Sequence, residues 1–217
     1  MPFFAVVPLP RDAVLHLPSQ GGVEAALIRD LVSAVHDAHS GYVAFDRIVS
    51  DLEREYRDWD TPFPRRYRGL APTSGYLGLN QFIVADSYVF ANERLLVVRV
   101  ELGSPGFWEF LGALNPLEVT RKYLDDRHRR RQDRAYREGQ EERRLGLEND
   151  LREIEVIRRR LEVARESGVP ETMLQPLLQQ LVGRPLEALG ALQDRGVIDG
   201  SSAEIRELEA GEDSEPV

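Results

Sequence analysis

The sequence predicts a helix-dominated α+β protein: a small N-terminal α+β domain, then a long coiled-coil-like helix, then short C-terminal helices. Three observations carry that expectation. Residues 95–102 (LLVVRVEL) are rich in β-branched side chains and alternate as a strand does. Residues 23–57 repeat apolar side chains at spacings of three and four, the period of an amphipathic helix. From Pro116 to Ser167 there is no further proline, little glycine and a dense run of charge.

Composition narrows the function classes. Of 217 residues, 42% are apolar and 30% charged, which fits a folded core with a solvated helical part. A net charge of −9 argues against a dedicated nucleic-acid binder, whose footprint is a basic domain. The absence of cysteine removes disulfides, thiolate catalysis and cysteine-ligated metals. The opening MPFFAVVPLPRD is apolar without a basic leader and is interrupted by Pro8 and Pro10, a poor secretory signal. A soluble, cytoplasmic protein is the expectation.

In chain order, Phe3 to Leu9 reads as a short edge strand and 11–22 as a loop. Ala26, Leu27, Leu31, Ala34, Val35 and Ala38 define a helix over 23–39. Ser40-Gly41 interrupts the pattern, and Phe45, Ile48, Val49, Leu52 and Tyr56 resume it over 42–57. Two helices and one helix kinked at Gly41 both fit. Residues 58–80, with Pro62, Pro64 and Pro72, form a long irregular connection, either a plain surface loop or a functional one. In the strand at 95–102, Leu96, Val98 and Val100 point one way, and the N-terminal helices are expected to bury them.

Gly103-Ser104-Pro105-Gly106 resembles a helix start, with Ser104 as the cap and Pro105 in the first turn. A helix over 107–114 would set Phe107, Phe110, Leu111 and Leu114 on one side. Asn115-Pro116 repeats the start signal, and a helix over 116–167 would reach about 75 Å. Within it Leu147, Leu151, Ile154 and Leu161 form a coiled-coil seam of about two heptads, implying a homo-oligomer or a partner helix. Gly168 and Pro170 end it; helices over 171–182 and 185–194 follow, and the acidic tail from Ser201 lacks a core. The expected division is 1–115 for the compact domain, 116–167 for the long helix, 168–200 for the short helices and 201–217 for a disordered tail.

The string VRVELGSPGFWEFLGALNPLEVTRKYLDDRHRRRQDRAYRE, followed by LENDLREIEVIRRRLE, resembles a group of uncharacterised bacterial proteins. In these a strand-SPGFWEF-NPLE junction joins a compact part to a long charged helix. The resemblance covers about 95–195; it implies a bacterial source and the same architecture, and no catalytic residues.

The chemistry-bearing patterns are sparse. No Gly-rich phosphate loop, nucleophile elbow or HExxH string occurs, so no catalytic or cofactor-binding residue is assigned. His36 and His39, one turn apart beside Asp37, have the spacing of a shared metal, but no second cluster completes the ligand set, and no metal is assigned. Between 121 and 137 eight arginines and lysines against three aspartates leave a local charge of +5. Arg127, Arg129, Arg130 and Arg131 can pair within the helix, meet anionic lipid with Trp108 as an interfacial anchor, or meet nucleic acid, for which the overall charge is wrong. The reading that follows is a non-enzymatic interaction or scaffold protein self-associating through its helical C-terminal half. The alternatives are a peripheral membrane protein docking through 105–114 and 121–137, and an effector-type enzyme with its site in 58–80.

Overall fold

The computed structural model describes residues 12–19, 24–59, 84–102, 105–132 and 154–207. Four antiparallel strands form one sheet, β1 (Asp12–Ser19), β2 (Leu96–Glu101), β3 (Gly106–Ala113) and β4 (Glu204–Glu207), in the order β2-β3-β1-β4. The helices are α1 (Ala25–Trp59), α2 (Leu114–Gln132), α3 (Glu155–Glu166), α4 (Glu171–Leu178) and α5 (Arg184–Asp194), with a π-helical turn (Gln179–Gly183) joining the last two. The fold is α+β.

The sheet is built from period-two patterning. In β1, Ala13, Leu15 and Leu17 are buried and face Gly112, Phe110 and Trp108 across the pair with β3. Val14, His16 and Pro18 take the opposite, half-buried face. Pro18 is tolerated in an inner strand because β4 pairs only with Ala13 to His16, so no ladder bond needs its missing N–H. Its carbonyl instead accepts from the Asp199 N–H at 2.9 Å. The central strand β1 therefore falls in the stretch expected to be a loop.

The junction is also different from the expectation. Residues 106–113 are a strand, not a helix: Trp108, Phe110 and Gly112 face the core while Phe107, Glu109 and Leu111 face away. β2 and β3 pair antiparallel, and residues 103–104 lie outside the described residues. A short run with apolar residues at 107, 108, 110, 111 and 114 satisfies both periods, and pairing with β1 decides for the strand, which its aromatic content suits. The strand at 96–101 is present, but it is an edge, and Leu96, Val97, Val98 and Val100 are 40–54% exposed rather than covered. Its ladder shifts between Val97 and Arg99, leaving Val98 as a bulge residue.

α2 lies across β1, β3 and β4, burying Leu117, Val119, Thr120, Tyr123 and Leu124 at helical spacing. α1 packs against every other helix described, and it is one continuous helix of 35 residues. From Ala38 to Phe45 each residue of α1 is buried, so the helix is enclosed on all sides at its middle. Gly41 lies in this stretch because the π-helical turn crosses there: a Cβ on Gly41 would overlap the Leu181 carbonyl oxygen.

The 116–167 run is not one helix. α2 is described to Gln132, and Ile154 has extended backbone (φ −65°, ψ 112°) from which α3 starts afresh. α3 then buries Ile157, Leu161 and Ala164, and Gly168, at φ +88°, closes it in the left-handed conformation. The N–H of Val169 reaches back to the Ala164 carbonyl at 3.0 Å. The described residues of the C-terminal helices share one hydrophobic cluster with those of β1, α1 and β3. Residues 204–207 belong to the sheet as β4, and Gly200–Ser202 form a 3-10 turn before it; 208–217 of the predicted tail lie outside the described residues.

Two outcomes follow. Gly41→Ala should destabilise the protein by about 1–3 kcal/mol in urea unfolding, through overpacking, although the same change in an exposed helix gains about 1 kcal/mol. Ser33→Ala, on the exposed flank of α1, should be neutral or slightly stabilising. Leu15→Asp should unfold the chain, whereas Val98→Asp should shift the melting free energy of dilute protein by less than about 0.5 kcal/mol. Equal effects would mean that β2 is covered.

Candidate interaction surface

Three places on the described structure carry unusual chemistry. The first is the β2 edge. Beside Leu96, Val97, Val98 and Val100, Leu102 is 69% exposed, Val84 64% and Phe90 63%. Among the described residues these are the exposed large apolar ones outside α3, where Val163 is another. No strand pairs with the outer side of β2 among the described residues, so its backbone N–H and C=O groups on that side have no ladder partner there. Arg99 and Glu101 share one face, 3.6 Å apart and both solvated, with the Arg99 guanidinium 4.8 Å from the Phe107 ring centroid. Phe107 stacks in turn on His16 at 4.8 Å, and His16 Nδ1 lies 3.3 Å from a Glu109 carboxylate oxygen. This cross-strand ladder orders the face of the sheet away from the core.

The second is a polar cluster where α1 meets the segment 84–93. His36 Nε2 lies 3.0 Å from Asp86 Oδ1. Burial raises the Asp86 carboxyl most strongly of any single cause, but hydrogen bonding from His36 and Ser40 together with the charges of His36 and Arg94 outweighs it and holds the group below its ordinary value. Further along, Arg47 donates to the Tyr88 carbonyl and to both Glu93 carboxylate oxygens (2.6 and 2.5 Å), with its guanidinium carbon 3.7 Å from the Phe90 ring centroid. This segment is held to α1 largely by charge and hydrogen bonds. His39, one turn from His36, points the other way: it is fully buried with neither ring nitrogen hydrogen-bonded. Gly112 makes room for it, since a Cβ there would lie 2.8 Å from His39 Nε2. Burial, and to a lesser degree the nearby His36, pushes the His39 imidazole down to about 4. Thus His36 and His39 do not converge, and no group of three His, Asp or Glu suited to a metal occurs among the described residues.

The third is a cleft of about 410 Å³ between α2 and β4, lined by Leu114, Glu118, Arg121, Ala203, Ile205 and the glutamates of β4. Its charges are three glutamates and one arginine and define no ligand class.

The residues singled out in the sequence are dispersed. Trp108 is 3% exposed, on the core face of β3, so it is no surface anchor. Arg127 donates to Asp194 of α5 at 3.2 and 2.7 Å, and Arg129 pairs with Asp125 one turn back at 2.8 Å. Arg130 and Arg131 are in α2, with side chains outside the described residues. Of the seam, Ile154 and Leu161 are buried in the chain's own core at 2% and 1%; Leu147 and Leu151 lie outside the described residues, as does most of the 58–80 connection. The β2 edge was missed as a surface because alternation identifies a strand but not its place in the sheet. Comparison with protein families, with curated proteins and with solved structures found no match to this chain.

His39 gives a pH signature. The unfolded chain takes up this proton near pH 6.5 and the folded chain only near 4, so stability is full above 6.5 and falls as pH drops toward 4. The loss attributable to His39 should be about 3 kcal/mol across that window. Urea unfolding of wild type and His39→Leu at pH 7.5 and 4.5 should show a clearly smaller loss in the variant. An unchanged loss would assign the acid sensitivity elsewhere.

Proposed function

We propose that this protein is a non-enzymatic interaction protein that self-associates, and that its contact surface is the open edge of the sheet at β2. The exposure of Leu96, Val97, Val98, Val100 and Leu102 along an edge strand carries this reading. An apolar strand edge left in water invites pairing with another chain, and folded proteins normally cover or charge such edges. Self-association through Leu147, Leu151, Ile154 and Leu161 has less support, since two of the four are already used in the chain's own core. Lipid docking gains nothing from a buried Trp108 or from an Arg127 engaged with Asp194. A bacterial source, on the resemblance over about 95–195, and a cytoplasmic location belong to the same proposal. No described helix is long and apolar enough to cross a membrane.

The test is mass against concentration. Light scattering from about 1 to 100 μM, the range of weak to moderate self-association, should show mass rising above that of one chain. Leu96→Lys/Val98→Lys should stay monomeric with unchanged far-ultraviolet circular dichroism. Wild type that remains monomeric at the top of that range would overturn self-association.

A further inference from the structure

Resting on that reading of β2, we infer that the occupant of the edge is a second copy of this chain, paired antiparallel about a twofold axis through Val100. The sequence of the strand is complementary to itself in that register. Val100 stands opposite Val100 of the second copy and Arg99 opposite the second copy's Glu101, the Arg–Glu pair occurring twice; Val98, the bulge residue, lies outside this regular pairing. Moving the axis one residue toward Leu96 sets Arg99 against Arg99, and one residue the other way sets Glu101 against Glu101. Both neighbouring registers oppose like charges, so the charges select the one at Val100.

The side chains have the exposure this pairing requires. Arg99 and Glu101 are 63% and 55% exposed and already share one face, free to turn from each other to the second copy. Val98, Val100 and Leu102 are 49%, 40% and 69% exposed. An axis perpendicular to the sheet keeps the helices of both copies on the same side, so two four-stranded sheets would join into one of eight strands. Outward N–H and C=O groups of β2 would then be satisfied, and antiparallel pairing accepts a twofold at a hydrogen-bonded or a non-hydrogen-bonded pair.

The absence of cysteine allows a direct test of the register. Opposed residues of antiparallel strands have Cα atoms about 4.5–5.5 Å apart, within disulfide range. Under mild oxidation Val100→Cys should link to itself in high yield. Val98→Cys should not. Independently, Arg99→Glu, which sets two pairs of glutamates together, should raise the dissociation constant by about tenfold or more, and Arg99→Glu/Glu101→Arg should restore it. Circular dichroism and melting of each variant at low concentration control for folding. Efficient self-linking of Val98→Cys in a protein that still dimerises would overturn the register and leave self-association standing. A protein monomeric at 100 μM, about the upper bound set above, would overturn both. Among monomeric outcomes, protection from hydrogen exchange of the β2 amides that face away from β3 would show the edge covered within one chain in place of a second copy.

Discussion

The fold depends on the middle of α1 being enclosed on every side. Between Ala38 and Phe45 the helix meets sheet, helices and the π-helical turn at once, and its sequence there, AHSGYVAF, supplies small residues where neighbours come closest. Gly41 sets the closest approach, with the backbone of Leu181 occupying the space a side chain would need. Interiors pack at crystal-like density, so this contact fixes how near α4 and α5 can lie to α1. The positions of Leu181, Val182 and Leu186 in the core follow from it.

Enclosing a helix all round also encloses polar groups, and the molecule deals with them unevenly. Arg160 of α3 donates to Glu53, to Ser50 Oγ at 2.7 Å and to the Asp46 carbonyl at 3.1 Å, so the pair on α1 is both charged and hydrogen-bonded. The Arg160 and Glu53 side chains are only 13% and 11% exposed, a setting in which removal of one partner is far costlier than the pair is favourable. This network therefore specifies where α3 sits more than it adds stability. His39 has no such compensation, and stays neutral among apolar neighbours at the cost of an unpaired N–H.

How much was legible follows from which signals have one meaning. The helical period over 23–57 did, and it correctly placed Leu31, Val35, Phe45, Ile48 and Leu52 in the core. Ser40-Gly41 was ambiguous because a glycine that breaks a helix and one that admits a neighbour look alike until the Leu181 carbonyl is seen. The segment 107–114 fits periods of two and 3.6, and only pairing with β1 chooses. DAVLHLPS carried the alternation of a strand in plain view, masked by Pro18, which is harmless only because β4 stops short of it. Ile154 and Leu161 have coiled-coil spacing, yet one helix can present the same stripe to its own chain as to a partner. Burial of a given face is a tertiary fact, and sequence spacing alone does not contain it.

The same distinction bears on the β2 edge. Its apolar residues were legible and their exposure was not, because a central strand and an edge strand have the same pattern. What the sequence does contain is the order Val-Arg-Val-Glu-Leu over 98–102, with opposite charges two residues apart about a central valine. On a buried strand such charges would be expensive to desolvate. On an edge they stay solvated on one face while leaving the valines and leucine to pack, and the bulge at Val98 turns the strand away from regular pairing on one half only. A general defence against aggregation would put like charges or a proline along the whole edge. Opposite charges symmetric about one residue oppose the two registers beside it and favour the one between, which is a pattern suited to a defined geometry of contact.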